Sequence, residues 1–350
     1  FRHGDRTPRL HEIYPKDIHN LSEYEPWGFG QLTNTGKMRA YKIGRVLRTR
    51  YQELLDTVNL ANADLYAVST DSDRTKMSLQ LLLAGLFLPS ESQLWNPELP
   101  WIPIPTHYVP QPLDILMKSY FCPQFKNAVA EVLQLPEVRT KIAVHNDLFN
   151  FLTVKTGLNL TNSYQVYEIY NLLVSQRAMN LTSPEWCTDA VFQEIGQVAT
   201  LQFEIWSYTT QIRRLHGGPM VRKFIENMQL DEAQRSPRKI HLYSAHDSTV
   251  SAFLYAHGIL EPQIPYGTAV IFEMLQDTDG NHFIKIVLWT GVTEQLRILR
   301  LPGCEDVCPI AKYLQLTREV IPSDEEMDCH WRRLSASQLR SIFDEKINYN

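Results

Sequence analysis

Residues 2–8, Arg2-His3-Gly4-Asp5-Arg6-Thr7-Pro8, decide how the whole 350-residue chain is read. A neutral imidazole is a good nucleophile near neutral pH and can carry a phosphoryl group as a phosphohistidine. Arg2 and Arg6 flank it, each presenting a planar fork of donors that matches the oxygens of a phosphate. Gly4 removes a side chain where backbone must come close to a ligand, and Pro8 stiffens the exit from the loop. A cationic cluster of this kind stabilises the charge that spreads over the equatorial oxygens during phosphoryl transfer. The bland alternative is a solvated basic turn. The spacing R-H-G-x-R-x-P weighs against it, because five specified positions arise by chance in a chain this long about once in 10⁴ sequences.

Two later runs are placed to meet this one. Leu65-Tyr66-Ala67-Val68-Ser69 reads as a short buried strand, followed by the capping cluster Thr70-Asp71-Ser72-Asp73 and an apolar helix through Leu88. Arg74 sits just past that cluster, where a helix N-terminus favours an anion. Strand signals return at Lys239–Ser244, so His246 and Asp247 emerge at a strand's carboxyl end, with a helix from Ser248 to His257 behind them. Further strands are expected over Thr268–Leu275 and Phe283–Thr290. Between Gly36 and Leu55, Met38, Tyr41, Leu47, Tyr51 and Leu54 fall on one face of a helix, with Gly44 filling the remaining step. Prolines at 97, 100, 103, 105, 110 and 112 exclude a continuous helix, and residues from about 114 to 227 read as mainly helical. The class is therefore α/β, interrupted by a helical insertion. Residues 1–112 and 228–350 make a discontinuous catalytic domain, and 113–227 a helical cap. In such a sheet ligands sit beyond the carboxyl ends of strands, and a strand delivering His3 is expected upstream of Phe1.

The global chemistry is unremarkable for a soluble enzyme. A net charge of −5 gives no basic field for nucleic acid, and the most apolar run, Leu79–Leu88, is far too short to span a bilayer. The start at Phe1 rather than Met suggests that a leading segment has been removed. Asn20-Leu21-Ser22, Asn159-Leu160-Thr161 and Asn180-Leu181-Thr182 are three acceptor patterns for N-glycosylation, which points to a secretory route. Of five cysteines, Cys304-x-x-x-Cys308 reads as a short-loop disulfide, or else as half a metal site without its other half. The odd count leaves at least one thiol over, with Cys187 the candidate. Nine histidines besides His3 and His246 show no metal-ligand spacing, so the expected chemistry needs no metal and no cofactor.

The opening motif, with Ser244-Ala245-His246-Asp247 downstream, resembles the histidine acid phosphatase branch of the histidine phosphatase superfamily. Gly28–Thr33, Ser69–Thr75, Trp95-Asn96-Pro97, Ile102–Pro105 and Leu301–Cys304 resemble stretches of prostatic and lysosomal acid phosphatases in the same order. Asp73–Leu81 and Lys312–Leu316 look most like insect venom acid phosphatases, so the likeness spans nearly the whole chain. It implies a phosphoglycerate-mutase-like mixed central sheet flanked by helices. It implies that His3 attacks phosphorus, that Arg2, Arg6, Arg74 and His246 hold the phosphate, and that Asp247 protonates the leaving alcohol and then helps a water attack. An acidic working pH follows, because Asp247 must carry a proton to act as an acid. The resemblance also implies Cys122–Cys329 and Cys304–Cys308 bridges, small phosphomonoester substrates, a homodimer, contacts to substrate near His107, and a secreted or lysosomal location.

The chain departs from the family in two ways. It has five cysteines where vertebrate relatives usually carry six, and Arg9 and His11 add polar and charged bulk at the expected mouth of the pocket. The second departure bears on substrate preference and not on the reaction, and it leaves a phytase or inositol polyphosphate phosphatase as a rival reading; a secreted venom-type protein with a vestigial site is a separate rival, which the intact catalytic positions speak against. A mutase shares the nucleophile chemistry but is usually shorter.

Overall fold

The computed structural model describes residues 1–60, 64–232 and 238–329. The apolar run Leu65–Thr70 (β1) is the centre of its parallel part. A long helix, Asn34–Arg50 (α1), and a short one, Gln52–Asp56 (α2), precede it, and Asp73–Leu86 (α3) follows. His107–Val109 (β2) and Ile240–Ser244 (β3) pair with β1 in parallel, Val68 lying level with both His107 and Tyr243. Between β2 and β3 the chain is helical. Its helices are Ile115–Lys118 (α4), Pro123–Val132 (α5), Pro136–Ala143 (α6), Asn146–Thr156 (α7), Ser163–Ala178 (α8), Asp189–Ile205 (α9), Thr210–His216 (α10) and Gly218–Glu232 (α11). Asp247–Ala256 (α12) follows β3. An antiparallel sheet comes next, made of Ala269–Gln276 (β4), His282–Trp289 (β5), Leu296–Leu299 (β6) and, on the other flank of β5, Cys308–Pro309 (β7). Ile310–Thr317 (α13) and Asp324–Met327 (α14) close the described chain.

Residues Phe1–His3 join the two sheets. On one side Ala245 N–H donates to Phe1 O and His3 N–H to Ala245 O, while on the other Arg2 N–H donates to Thr268 O and Gly267 N–H to His3 O. His3 is thus delivered by an extended segment lying beside the carboxyl end of β3. Further down, the facing edges of β3 and β4 flank an apolar cleft headed by Phe1.

The helical insertion and the β3–α12 unit follow the sequence pattern. α1 is helical as expected, but its buried face is Gly36, Ala40, Ile43, Gly44 and Leu47, and Met38 is 67 % exposed. The reason is a close crossing of α1 and α3. A Cβ on Gly44 would lie 2.1 Å from Leu82 O, and one on Gly85 would lie 2.3 Å from Tyr41 O. Small residues, not large ones, mark that face. β2 is missed by periodicity because it is three residues long, exposed, and set among prolines at the edge of the sheet.

Among the described residues several clusters of side chains form the cores. One lies on the sheets and includes Val68, Tyr243, Phe253, Ile284 and Leu288, joined by Met117 of α4 and by Met220, Val221, Ile225 and Met228 of α11. Others lie within the helical layer, where Leu148, Leu152, Val166, Leu172 and Val198 pack around Tyr14. Cys122 bridges to Cys329, bringing the segment after α14 against α5, and Cys304 bridges to Cys308. Cys187 is a buried free thiol. Among the described residues no helix is long and apolar enough to cross a membrane.

Candidate active site

Three chain segments reach the same edge of the parallel sheet because β1 and β3 run in register, Ser69 opposite Ser244, and Arg2 bridges to Ala245. They bring together all six residues singled out from sequence. Arg74 stands in the first turn of α3, His246 is the N-cap of α12, and Asp247 is its first residue. Neither helix is capped by its N-cap side chain, so the capping role expected of Ser72 is not what starts α3. Thr75 Oγ1 reaches back to Ser72 O and Thr70 O instead.

Gly4 is small for a reason other than a ligand. A Cβ there would lie 2.1 Å from Gly36 O, and one on Gly36 would lie 2.0 Å from Asp5 O. The motif loop therefore rests directly on the first turn of α1, held by Gly4 N–H donating to Ser78 Oγ and by buried Asp5 paired with Arg39. A substitution at Gly4 would lift the nucleophile out of place.

His3 is 2 % exposed. Its Nδ1 lies 2.8 Å from Gly4 O. A carbonyl only accepts, so Nδ1 carries the proton and Nε2 keeps the lone pair. Arg74 Nε–H points at that lone pair from 3.2 Å. Burial, and then the charges of Arg74, Arg2 and Arg6, hold the imidazole well below its ordinary range. The group is thus a neutral nucleophile even in mild acid.

His246 lies edge-on to His3, ring centroids 5.4 Å apart. Its Nδ1 faces Arg74 Nη2 at 3.5 Å and its Nε2 faces Thr70 Oγ1 at 2.9 Å. Because Thr75 Oγ1 donates to carbonyls, it accepts from Thr70, which in turn accepts from His246 Nε2–H. Burial, followed by the charges of Lys118 and Arg74, lowers this ring well below its ordinary range and keeps it neutral. His246 can therefore offer Nδ1–H to an anion only by taking up a proton.

The arginines differ in their partners. Arg2 donates to Ile264 O, pairs with Asp247 Oδ2 at 3.0 Å, and lies 4.1 Å over the ring of Tyr266, while its buried Nε has no hydrogen-bond partner among the described residues. Arg6 is clamped in two bonds by Glu12, at 2.7 and 2.6 Å. Burial opposes the charge on Glu12, but Arg6 and Arg9 outweigh it and hold the carboxyl well below the usual carboxylate range. Arg74 has no carboxylate partner among the described residues, and desolvation with nearby Arg6 and Arg9 lowers its guanidinium to about 9. An unbalanced cation and an orphan guanidinium N–H facing one spot form an anion site, with the His3 lone pair beside it.

Sequence reasoning missed Glu12, Thr70, Tyr266 and Lys118. Glu12 lies six residues past Arg6 with no local signal to mark it, and Tyr266 reaches Arg2 only because the turn before β4 crosses the N-terminal segment. His107, expected near substrate, instead stacks on Tyr66 with centroids 5.4 Å apart, two register positions below Thr70 on the edge strand. No metal-binding group of three or more His, Cys, Asp or Glu residues occurs among the described residues.

Comparison with known proteins agrees with this geometry. The family model for the histidine phosphatase superfamily (branch 2) matches residues 1–288. The chain is 38 % identical to venom acid phosphatase Acph-1 of Apis mellifera over 343 residues, 96 % of this chain and 88 % of that one. It is 33 % identical to lysosomal acid phosphatase of Homo sapiens, covering 94 % of this chain and 78 % of that one. The apo form of Hafnia alvei phytase has a similar fold, with TM-score 0.67 at 17 % identity over 93 % of this chain and 96 % of that one. The matching motifs, the near-complete coverage and the convergence of six residues on one sheet edge lead to one conclusion: the chain belongs to branch 2 of the histidine phosphatase superfamily.

Proposed function

We propose that this chain is an acid phosphatase that hydrolyses phosphate monoesters in two steps through a phosphohistidine on His3 Nε2. In the first step the Nε2 lone pair forms a bond to phosphorus as the ester oxygen leaves, taking a proton from Asp247. In the second, Asp247 accepts a proton from the water that attacks phosphorus, and His3 is released. Arg2, Arg6 and Arg74 hold the phosphoryl oxygens, and His246 adds an Nδ1–H donor by taking up a proton when the phosphate binds. The observation that carries this reading is the nucleophile itself: a buried, neutral imidazole whose free lone pair faces an arginine without a carboxylate partner. Rapid quenching during turnover of a labelled phosphomonoester is expected to trap label on the protein that survives alkali and is lost in acid, as a phosphoramidate bond behaves. Absence of p-nitrophenyl phosphate hydrolysis anywhere between about pH 4 and 7, the range that brackets imidazole and carboxyl titration, would establish the vestigial-site reading instead.

Three further proposals concern the molecule as a whole. Residues 1–112 and 228–350 act as the catalytic domain and 113–227 as a cap, residues 330–350 lying outside the described ones. Asn20, Asn159 and Asn180 are all exposed, which supports glycosylation and a secreted or lysosomal destination. A homodimer forms across β2, which among the described residues is the edge strand of the parallel sheet and exposes Tyr108 and Val109. Sedimentation of the secreted protein before and after enzymatic deglycosylation tests the last two. The expected result is twice the 40.6 kDa chain mass, with carbohydrate lost on treatment; a bare monomer would defeat both.

A further inference from the structure

Arg9 and His11, basic in the sequence, do not present free positive charge at the mouth of the site. Arg9 runs beside Arg74 across Gly30, where a Cβ would lie 3.4 Å from Arg9 Cγ and 3.6 Å from Arg74 Nη1. Its guanidinium is already held. Nε and Nη2 reach Glu12 Oε1 at 2.8 and 2.7 Å, and Nη2 also reaches Glu168 Oε2 at 2.7 Å. His11 Nε2 lies 3.4 Å from the same Glu168 oxygen. Two arginines, Arg6 and Arg9, thus stand against two carboxylates, Glu12 and Glu168, and the formal charges of these four side chains cancel. The carboxylates are not equivalent. Glu12 is enclosed, its side chain 0 % exposed, whereas Glu168 keeps 13 % of its side chain open and comes from α8 in the helical layer facing the motif. Lys118, the other cation nearby, is turned toward Gln111 on the His246 side.

We propose that Glu168 is a specificity-determining residue that favours monoesters whose alcohol part is neutral or cationic near the phosphate. It does so by repelling a second anionic group and by occupying the Arg9 guanidinium that would otherwise bind one. The inference rests on phosphate binding among Arg2, Arg6, Arg74 and His246. It turns the basic bulk read from sequence into a device against polyphosphorylated substrates.

A matched series tests it: ethanolamine phosphate, ethyl phosphate and 2-phosphoglycolate, which differ in the charge carried beside the ester. At one pH above the ordinary carboxyl range, wild-type kcat/KM is expected to fall in that order. Glu168→Gln is expected to shrink the cation-to-anion ratio on the order of tenfold, the size of one removed charge at short range. Arg9→Gln, which leaves Glu168 uncompensated, is expected to widen it. Each ratio is taken within one variant, so a general loss of activity cancels. An unchanged ratio in Glu168→Gln, or in Arg9→Gln should the first not fold, overturns the proposal. Failure of the wild type to hydrolyse p-nitrophenyl phosphate would instead overturn the phosphatase reading beneath it.

Discussion

His3→Ala is expected to lower kcat on p-nitrophenyl phosphate by on the order of 10⁴-fold or more and to abolish the trapped phosphoprotein. The size follows from the geometry. Nε2 of His3 is the lone pair that Arg74 points at, and the other imidazole in the site, His246, is tied by its Nε2 to Thr70. What remains after the substitution is the cationic cluster, which can orient a phosphate but has nothing to bond to phosphorus. The fold should survive, since among the described residues the His3 side chain hydrogen-bonds to Gly4 and Arg74 and its ring packs against His246 and Tyr266, contacts internal to the site. Inorganic phosphate is therefore expected to raise the melting temperature of the variant and of the wild type alike, through Arg2, Arg6 and Arg74. That contrast separates a lost nucleophile from a lost site. The depressed imidazole adds a sign to the pH dependence. A group whose proton is lost below its ordinary range stays neutral, and nucleophilic, at pH values where a free imidazole with a pKa near 6.5 would be charged. The acid limb of the wild-type profile should then lie well below that value. Retention of full activity by His3→Ala would end the mechanism proposed above.

The motif was legible because its chemistry is written in seven consecutive residues, and Arg74, His246 and Asp247 because each follows a recognisable buried strand. What supports them was not legible, for a physical reason. Glu12 matters through a two-bond clamp on Arg6, Tyr266 through its ring beneath Arg2, and Thr70 through a hydroxyl chain that fixes the tautomer of His246. Each such contact depends on a turn or a register that residue type does not announce. On α1 the opposite holds. Large apolar residues in the sequence suggest the core face, while the backbone approach at Gly44 and Gly85 selects small ones. The roles of Arg9 and His11 were likewise invisible until Glu168 arrived from a helix over 150 residues away.

Asp247→Asn carries the second large effect, and its signature is dependence on the leaving group. Asp247 stands at the N-terminus of α12 with Oδ1 accepting from Ser248 N–H and Oδ2 held by Arg2 at 3.0 Å. Both contacts fix where its oxygens lie relative to His3, so loss of the acid need not disturb the nucleophile. An alkoxide is a poor leaving group and needs a proton as the P–O bond breaks, whereas p-nitrophenolate is stabilised by its ring and leaves without one. General acid catalysis contributes about 10²–10⁴-fold. The variant is thus expected to lose activity by about that factor on glycerol 2-phosphate while still releasing p-nitrophenol in the first turnover. Its second step should slow as well, because asparagine cannot take a proton from the attacking water. A stopped-flow trace should therefore show a burst of p-nitrophenol near one equivalent followed by a slow steady state, with no burst of glycerol. Equal losses on both substrates without a burst would argue that Asp247 positions Arg2 rather than delivering a proton, and Arg2 would then become the residue whose placement limits the reaction.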